Sequence, residues 1–140
     1  MAGVISVELA LRLRAAGLPW EPASGDRFVI PDRGMDDQVF VVSELTIDVA
    51  DVPGGRVLRF NGTTEWALDS VDAEAVVWLP HEGQLRTALG RAFRRLERID
   101  EGVGAAGWAV VVAIGGRERR EIDVDAERAY ARSVLALLGA

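Results

Sequence analysis

His81 is the only imidazole in the chain, and it stands where the apolar run Ala75-Val76-Val77-Trp78-Leu79 ends at Pro80 and a helical pattern begins. An imidazole there can move protons near neutral pH if a carboxylate orients it, and it serves equally well as an exposed residue at a helix start. Glu65 and Asp69 are four apart. A helix over that stretch would set both carboxylates on one face as an acid-base pair, while their repulsion would weaken the same helix. Trp20, Trp66 and Trp78 either line one pocket or join Trp108 in a core cluster. With Gln84 they complete the candidate pocket: Trp20, Glu65, Trp66, Asp69, Trp78, His81 and Gln84. None is assigned a catalytic role, because Asp69-Ser70 makes a triad only with a base fixed in space beside it.

Arg91, Arg94, Arg95 and Arg98 form the second constellation, a candidate partner-binding surface, with Arg117, Arg119 and Arg120 on a neighbouring segment. If residues 93–99 are a strand, Arg94 and Arg98 share one face and Arg95 takes the other; a helix would crowd all four arginines on one side. Glu97, Glu118 and Glu121 offer salt bridges, and the same cations suit an acidic protein partner. The Asp26, Asp32, Asp36 and Asp37 group lacks the spacing of a Ca²⁺ loop and falls in turns, where Asp is favoured for its own backbone hydrogen bonds. The chain has no dinucleotide glycine fingerprint and no Gly-Lys-Ser/Thr phosphate loop, so no cofactor and no metal are expected. Asn61-Gly62-Thr63 reads as a turn.

At 140 residues, 49% apolar and 27% charged, the chain can build one core unaided, and a single globular domain over 1–140 is expected. With no Cys, disulfides and thiolate chemistry are excluded, which fits a reducing compartment. The opening Met-Ala-Gly-Val-Ile-Ser-Val-Glu has no basic flank ahead of an apolar run, and no stretch has the length of a membrane span. A cytoplasmic location without membrane insertion is therefore expected. The net charge of −6 is unevenly placed: residues 20–85 hold thirteen acidic and four basic side chains, and residues 86–122 hold eight basic and five acidic. An acidic half of this strength repels nucleic acid unless the fold gathers the arginines on one face.

These residues must be positioned by a short list of elements. Ser6 caps a helix over 7–16, with Leu9 and Leu13 on one stripe and Gly17 closing it. Trp20, between Pro19 and Pro22 one residue further on, reads as a lid over a core edge. Strands follow at 27–30, at 38–42 continuing into 45–49, and at 56–60 after the tight Val52-Pro53-Gly54-Gly55 connection. Five consecutive apolar residues at 75–79 predict a central strand or a segment burying a strand edge. A short helix spans 82–89 and stops at Gly90. Residues 91–99 admit helix or strand; the Gly-rich stretch after them favours a strand, paired with 108–114 and followed through Gly115-Gly116 by 118–122. Asp123 or Asp125 caps a closing helix bearing Ala126, Tyr130, Val134 and Leu137 on one face.

The resulting fold class is α+β, a mainly antiparallel sheet with an N-terminal helix, a short central helix and a C-terminal helix packed against it. Residues 15–22, Gly25-Asp26-Arg27-Phe28, the stretch 60–70, and Trp78-Leu79-Pro80 with Gln84-Leu85 carry a further signal. Through them the chain resembles the small actinobacterial proteins that bear the label of CpaE-type pilus assembly proteins. The resemblance implies membership of that group and brings no catalytic residues with it. The residues themselves point first to a cytoplasmic, non-enzymatic adaptor or protein-interaction domain that binds a protein partner or itself. The alternative is a small-molecule-binding protein or hydrolase-like enzyme using the Trp-lined pocket with Glu65, Asp69 and His81.

Overall fold

The computed structural model describes residues 5–31, 35–43, 47–60, 70–100 and 106–139. In chain order the elements are α1 (Val7–Ala15), β1 (Arg27–Ile30), β2 (Met35–Val41), β3 (Ile47–Val52), β4 (Gly55–Phe60) and β5 (Ser70–Asp72). They continue with β6 (Val77–Leu79), α2 (Glu82–Leu89), β7 (Phe93–Ile99), β8 (Gly107–Ile114), β9 (Arg117–Asp123) and α3 (Ala126–Leu137). All strand pairs among the described residues are antiparallel, and the fold is α+β. The chain divides into two compact units, residues 19–79 and residues 1–18 with 80–140.

The 19–79 unit contains two three-stranded sheets, ordered β2-β1-β6 and β3-β4-β5. β1 occupies the middle of the first sheet, because Phe28, Val29 and Ile30 are all buried and need cover on both sides. The apolar run at 75–79, expected as a central strand or as a segment burying a strand edge, follows the 3₁₀ turn Ala73–Ala75 and forms the outer strand β6, which pairs along β1. Phe28, Ile30, Phe40, Val42, Ile47, Leu58 and Val76 form one cluster drawn from both sheets, with Trp20 and Val49 packed against it. Each large side chain in such a cluster contributes on the order of 1.5–3 kcal/mol of transfer free energy. Pro53-Gly54 turns β3 into β4, with Gly54 at φ 95°.

The other unit is built on the meander β7-β8-β9. Gly115 (φ 60°) and Gly116 (φ 80°) supply the two positive-φ positions that a two-residue hairpin turn between β8 and β9 requires. Residues 93–99 are thus a strand. α3 packs on β8 and β9, and both α1 and α2 pack on α3. The helix signals in the sequence are realised atom by atom. The Leu9 N–H donates to Ser6 Oγ (3.1 Å) at the start of α1, and the Arg128 N–H donates to Asp125 Oδ2 (3.1 Å) at the start of α3. Leu9 and Leu13 of α1, Leu85 and Leu89 of α2, and Tyr130 and Val134 of α3 are buried, together with Ala109 to Val112 of β8. Phe93 stacks on Tyr130 with centroids 5.8 Å apart, which fixes the face of the meander that α3 covers.

Candidate functional site

Two of the candidate pocket residues meet inside the 19–79 unit. Trp20 lies flat on Trp78, centroids 5.9 Å apart and planes within 7°, and it also touches Phe28 at 6.5 Å. Phe28 in turn stacks on Phe40 at 5.5 Å. The stack follows from register, because Phe28 of β1 is paired with both Trp78 of β6 and Phe40 of β2. Trp20 is held in place by its own polar edge: its indole Nε1–H donates to Asp26 Oδ2 at 2.8 Å, and the Ala23 N–H donates to the same oxygen at 3.0 Å. Asp26 is only 4% exposed. The sequence places it in a solvated turn, whereas the fold buries it, since a carboxylate satisfied by an indole and a backbone amide can leave water. Trp78 Nε1 is buried with no protein acceptor among the described residues.

His81 is exposed and is the N-cap residue of α2. Gln84 reaches back so that the His81 backbone N–H donates to its Oε1 at 3.1 Å, half of a capping box. Glu65, Trp66 and Asp69 lie outside the described residues. Of the seven pocket candidates, the fold therefore joins Trp20 to Trp78 and His81 to Gln84.

The arginines are sorted by the meander. Cross-strand register puts Arg95, Val111 and Arg120 in one row and Glu97, Ala109 and Ile122 in the next on the same face. There Arg95 pairs with Glu97 (3.2 Å) and Glu118 (3.7 Å), and Arg120 with Glu97 (3.8 Å). Arg119 takes Glu121 at 3.0 Å. A register shift between Phe93 and Arg95 takes Arg94 out of strict alternation, and its guanidinium donates to the carbonyls of Arg91 and Phe93 instead of to a carboxylate. Arg98 sits toward the other end of β7, opposite Trp108. Arg91, Arg94, Arg95 and Arg98 are all exposed. Sequence reasoning did not include Arg86, which lies over the Phe93 ring at 5.0 Å; its place in the last turn of the helix ahead of Gly90 is the signal that could have found it.

One ion cluster is structural. Asp123, at the end of β9, accepts from Arg128 (2.8 Å) and Arg132 (3.0 Å) of α3 and from the Asp125 N–H (3.0 Å). Burial pushes its carboxyl up, but the hydrogen bonds from Arg128 and Asp125, the Arg128 charge and the Arg132 bond together hold it below the usual carboxylate range. Tyr130 moves the other way: desolvation, then the charge of Glu82, raises its phenol above the ordinary 10.0 against the opposing pull of Arg86.

Among the described residues, no three His, Asp or Glu side chains are grouped so as to hold a metal ion, and no helix is long and apolar enough to cross a membrane. No protein-family model, curated protein or solved structure matches the chain.

Proposed function

We propose that this chain is a cytoplasmic partner-binding or adaptor domain that works without turnover, and that it engages its partner through the arginine-bearing meander. The observation that carries this reading is the partition of charge between the two units. Residues 19–79 hold twelve acidic and four basic side chains, net −8, and the remainder holds ten acidic and twelve basic, net +2. Charge segregated in this way orients encounters and rejects wrong partners more than it adds affinity. On the meander, the carboxylates of Glu97, Glu118 and Glu121 are used by Arg95, Arg119 and Arg120, so other exposed arginines are left to meet an outside anion.

The small-molecule alternative has less support. One face of Trp20 is covered by Trp78 and its N–H is committed to Asp26, so it is already engaged as a core lid. Light scattering after size exclusion, together with a pull-down from source lysate at several salt concentrations, tests the reading. A saturable partner weakened by salt is expected; a strictly monomeric chain that retains nothing saturable overturns it.

A further inference from the structure

Building on that partner-binding reading, we infer that the end of the meander around the β8–β9 turn is a receptor for an acidic polypeptide segment, with Arg86, Arg91, Arg94 and Arg117 as its contacts. Four separate elements bring these side chains to one end. Arg86 comes from the last turn of α2, over the ring of Phe93 at 5.0 Å. Arg91 comes from the 3₁₀ turn Gly90–Ala92, which packs on β8, and Arg94 from the irregular position at the start of β7, tied to the Arg91 carbonyl. Arg117 opens β9, paired with Ile114 beyond the row Phe93, Val112, Arg119. All four are exposed, and none has a carboxylate ion pair among the described residues, in contrast to Arg95, Arg119 and Arg120. Four like charges left uncompensated repel one another. With the meander's Glu97, Glu118 and Glu121 taken by other arginines, Glu82 of α2 is, among the described residues, the one further carboxylate shown acting near Arg86, and four cations around it leave a local positive field on a chain whose net charge is −6.

The chemistry of the occupant follows from what surrounds the arginines. Guanidinium groups take carboxylate and phosphate alike, and a compact phosphate dianion gains further where a helix N-terminus adds converging backbone N–H groups. The helix end here is the C-terminal end of α2, where the dipole and free carbonyls are negative. Dispersed carboxylates, each taken by one planar guanidinium, avoid concentrating charge at that end. From β7 to β9 the patch spans two strand spacings, about 10 Å, a reach of roughly three residues of extended chain. A long polyanion such as a nucleic-acid duplex is disfavoured by the net charge of −6 on the chain as a whole, whereas a short acidic segment need only meet the local patch.

A fluorescently labelled, capped hexaglutamate peptide titrated with the full chain by anisotropy tests this. Binding is expected at about 50 mM salt and should weaken at least tenfold by about 300 mM, as screening of exposed charges requires. The double variant Arg91→Glu/Arg117→Glu should lose at least tenfold, and the neutral Arg91→Gln/Arg117→Gln an intermediate amount, while Arg56→Gln, at an arginine of the 19–79 unit paired with Asp51, should stay within about twofold of the parent. Far-UV circular dichroism checks that each variant is folded. Equal binding by parent and double variant, or displacement of the peptide by an equimolar short oligonucleotide or by inorganic phosphate, overturns the inference. A chain that captures a saturable partner from lysate but ignores the peptide overturns the acidic-segment assignment and leaves the partner-binding reading standing; failure of both removes both.

Discussion

The indole of Trp20 donates to the buried carboxylate of Asp26 at 2.8 Å while its ring lies flat on Trp78. A side chain between two prolines is thereby tied to the turn that opens β1, and the turn is tied to the aromatic stack. Asp26→Ala would leave the Trp20 indole and the Ala23 amide without their shared acceptor. Losing one partner of such bonds costs about 1–3 kcal/mol per stranded group, so with two groups stranded a loss of roughly 2–6 kcal/mol is expected in equilibrium urea unfolding. Asp26→Asn, which keeps an acceptor oxygen, should lose less.

Trp78 separates packing from polarity. Trp78→Ala removes a large ring from the stack and should cost about 3–5 kcal/mol. Trp78→Phe keeps most of the ring and deletes an indole N–H that has no protein acceptor among the described residues, so its cost should be below about 1 kcal/mol because a stranded donor is itself unfavourable. Urea midpoints with unchanged slopes read both. A loss below about 1 kcal/mol for Trp78→Ala would mean that the ring carries little of the packing expected of a buried aromatic.

Asp123 should impose an acid limit on stability. Its folded carboxyl lies below the usual range despite the opposing effect of burial, so the folded chain releases this proton more readily than the unfolded one. The contribution is complete above about pH 5, beyond the unfolded value near 4, and is lost as pH falls through the folded value. Asp123→Asn is expected to cost about 1–2 kcal/mol at pH 7, the range of hydrogen bonds to a charged group tempered by the exposure of both arginines. The gap between parent and variant should close below about pH 4. A constant gap between pH 3 and pH 7 would exclude the ion cluster as its source.

Tyr130 should impose an alkaline limit. The phenol is 1% exposed, and burial raises its proton affinity. Above pH 10 the unfolded chain therefore loses a proton that the folded chain keeps, and stability falls as pH rises. The slope approaches at most about 1.4 kcal/mol per pH unit while the two states differ by one proton. This is the only Tyr in the chain, so tyrosinate absorbance reports it without overlap and should appear late, together with unfolding. Tyr130→Phe should remove the slope; early tyrosinate formation in a folded chain would show the ring to be accessible.

Local signals of the sequence were enough for much of the fold. Ser6 and one of Asp123 or Asp125 as caps, Gly90 as a stop, and Pro53-Gly54 and Gly115-Gly116 as turns are decided within a few residues of chain, by dihedral preference and by hydrogen bonds that span three or four positions, and the Gly-rich stretch after residue 99 favours the strand reading of 93–99. Partner choice is different, because it depends on which strands pair. The sequence offered Glu97, Glu118 and Glu121 as salt-bridge partners but not which arginine each would take, nor that Arg86 would reach over Phe93, since Glu118 lies on another strand than Arg95 and Phe93 on another element than Arg86. Asp26 shows the same boundary from the inside. Its residue type and turn context argue for water, and only the tertiary arrangement, which sets Trp20 and the Ala23 amide against one carboxylate oxygen, makes its burial cheaper than its hydration.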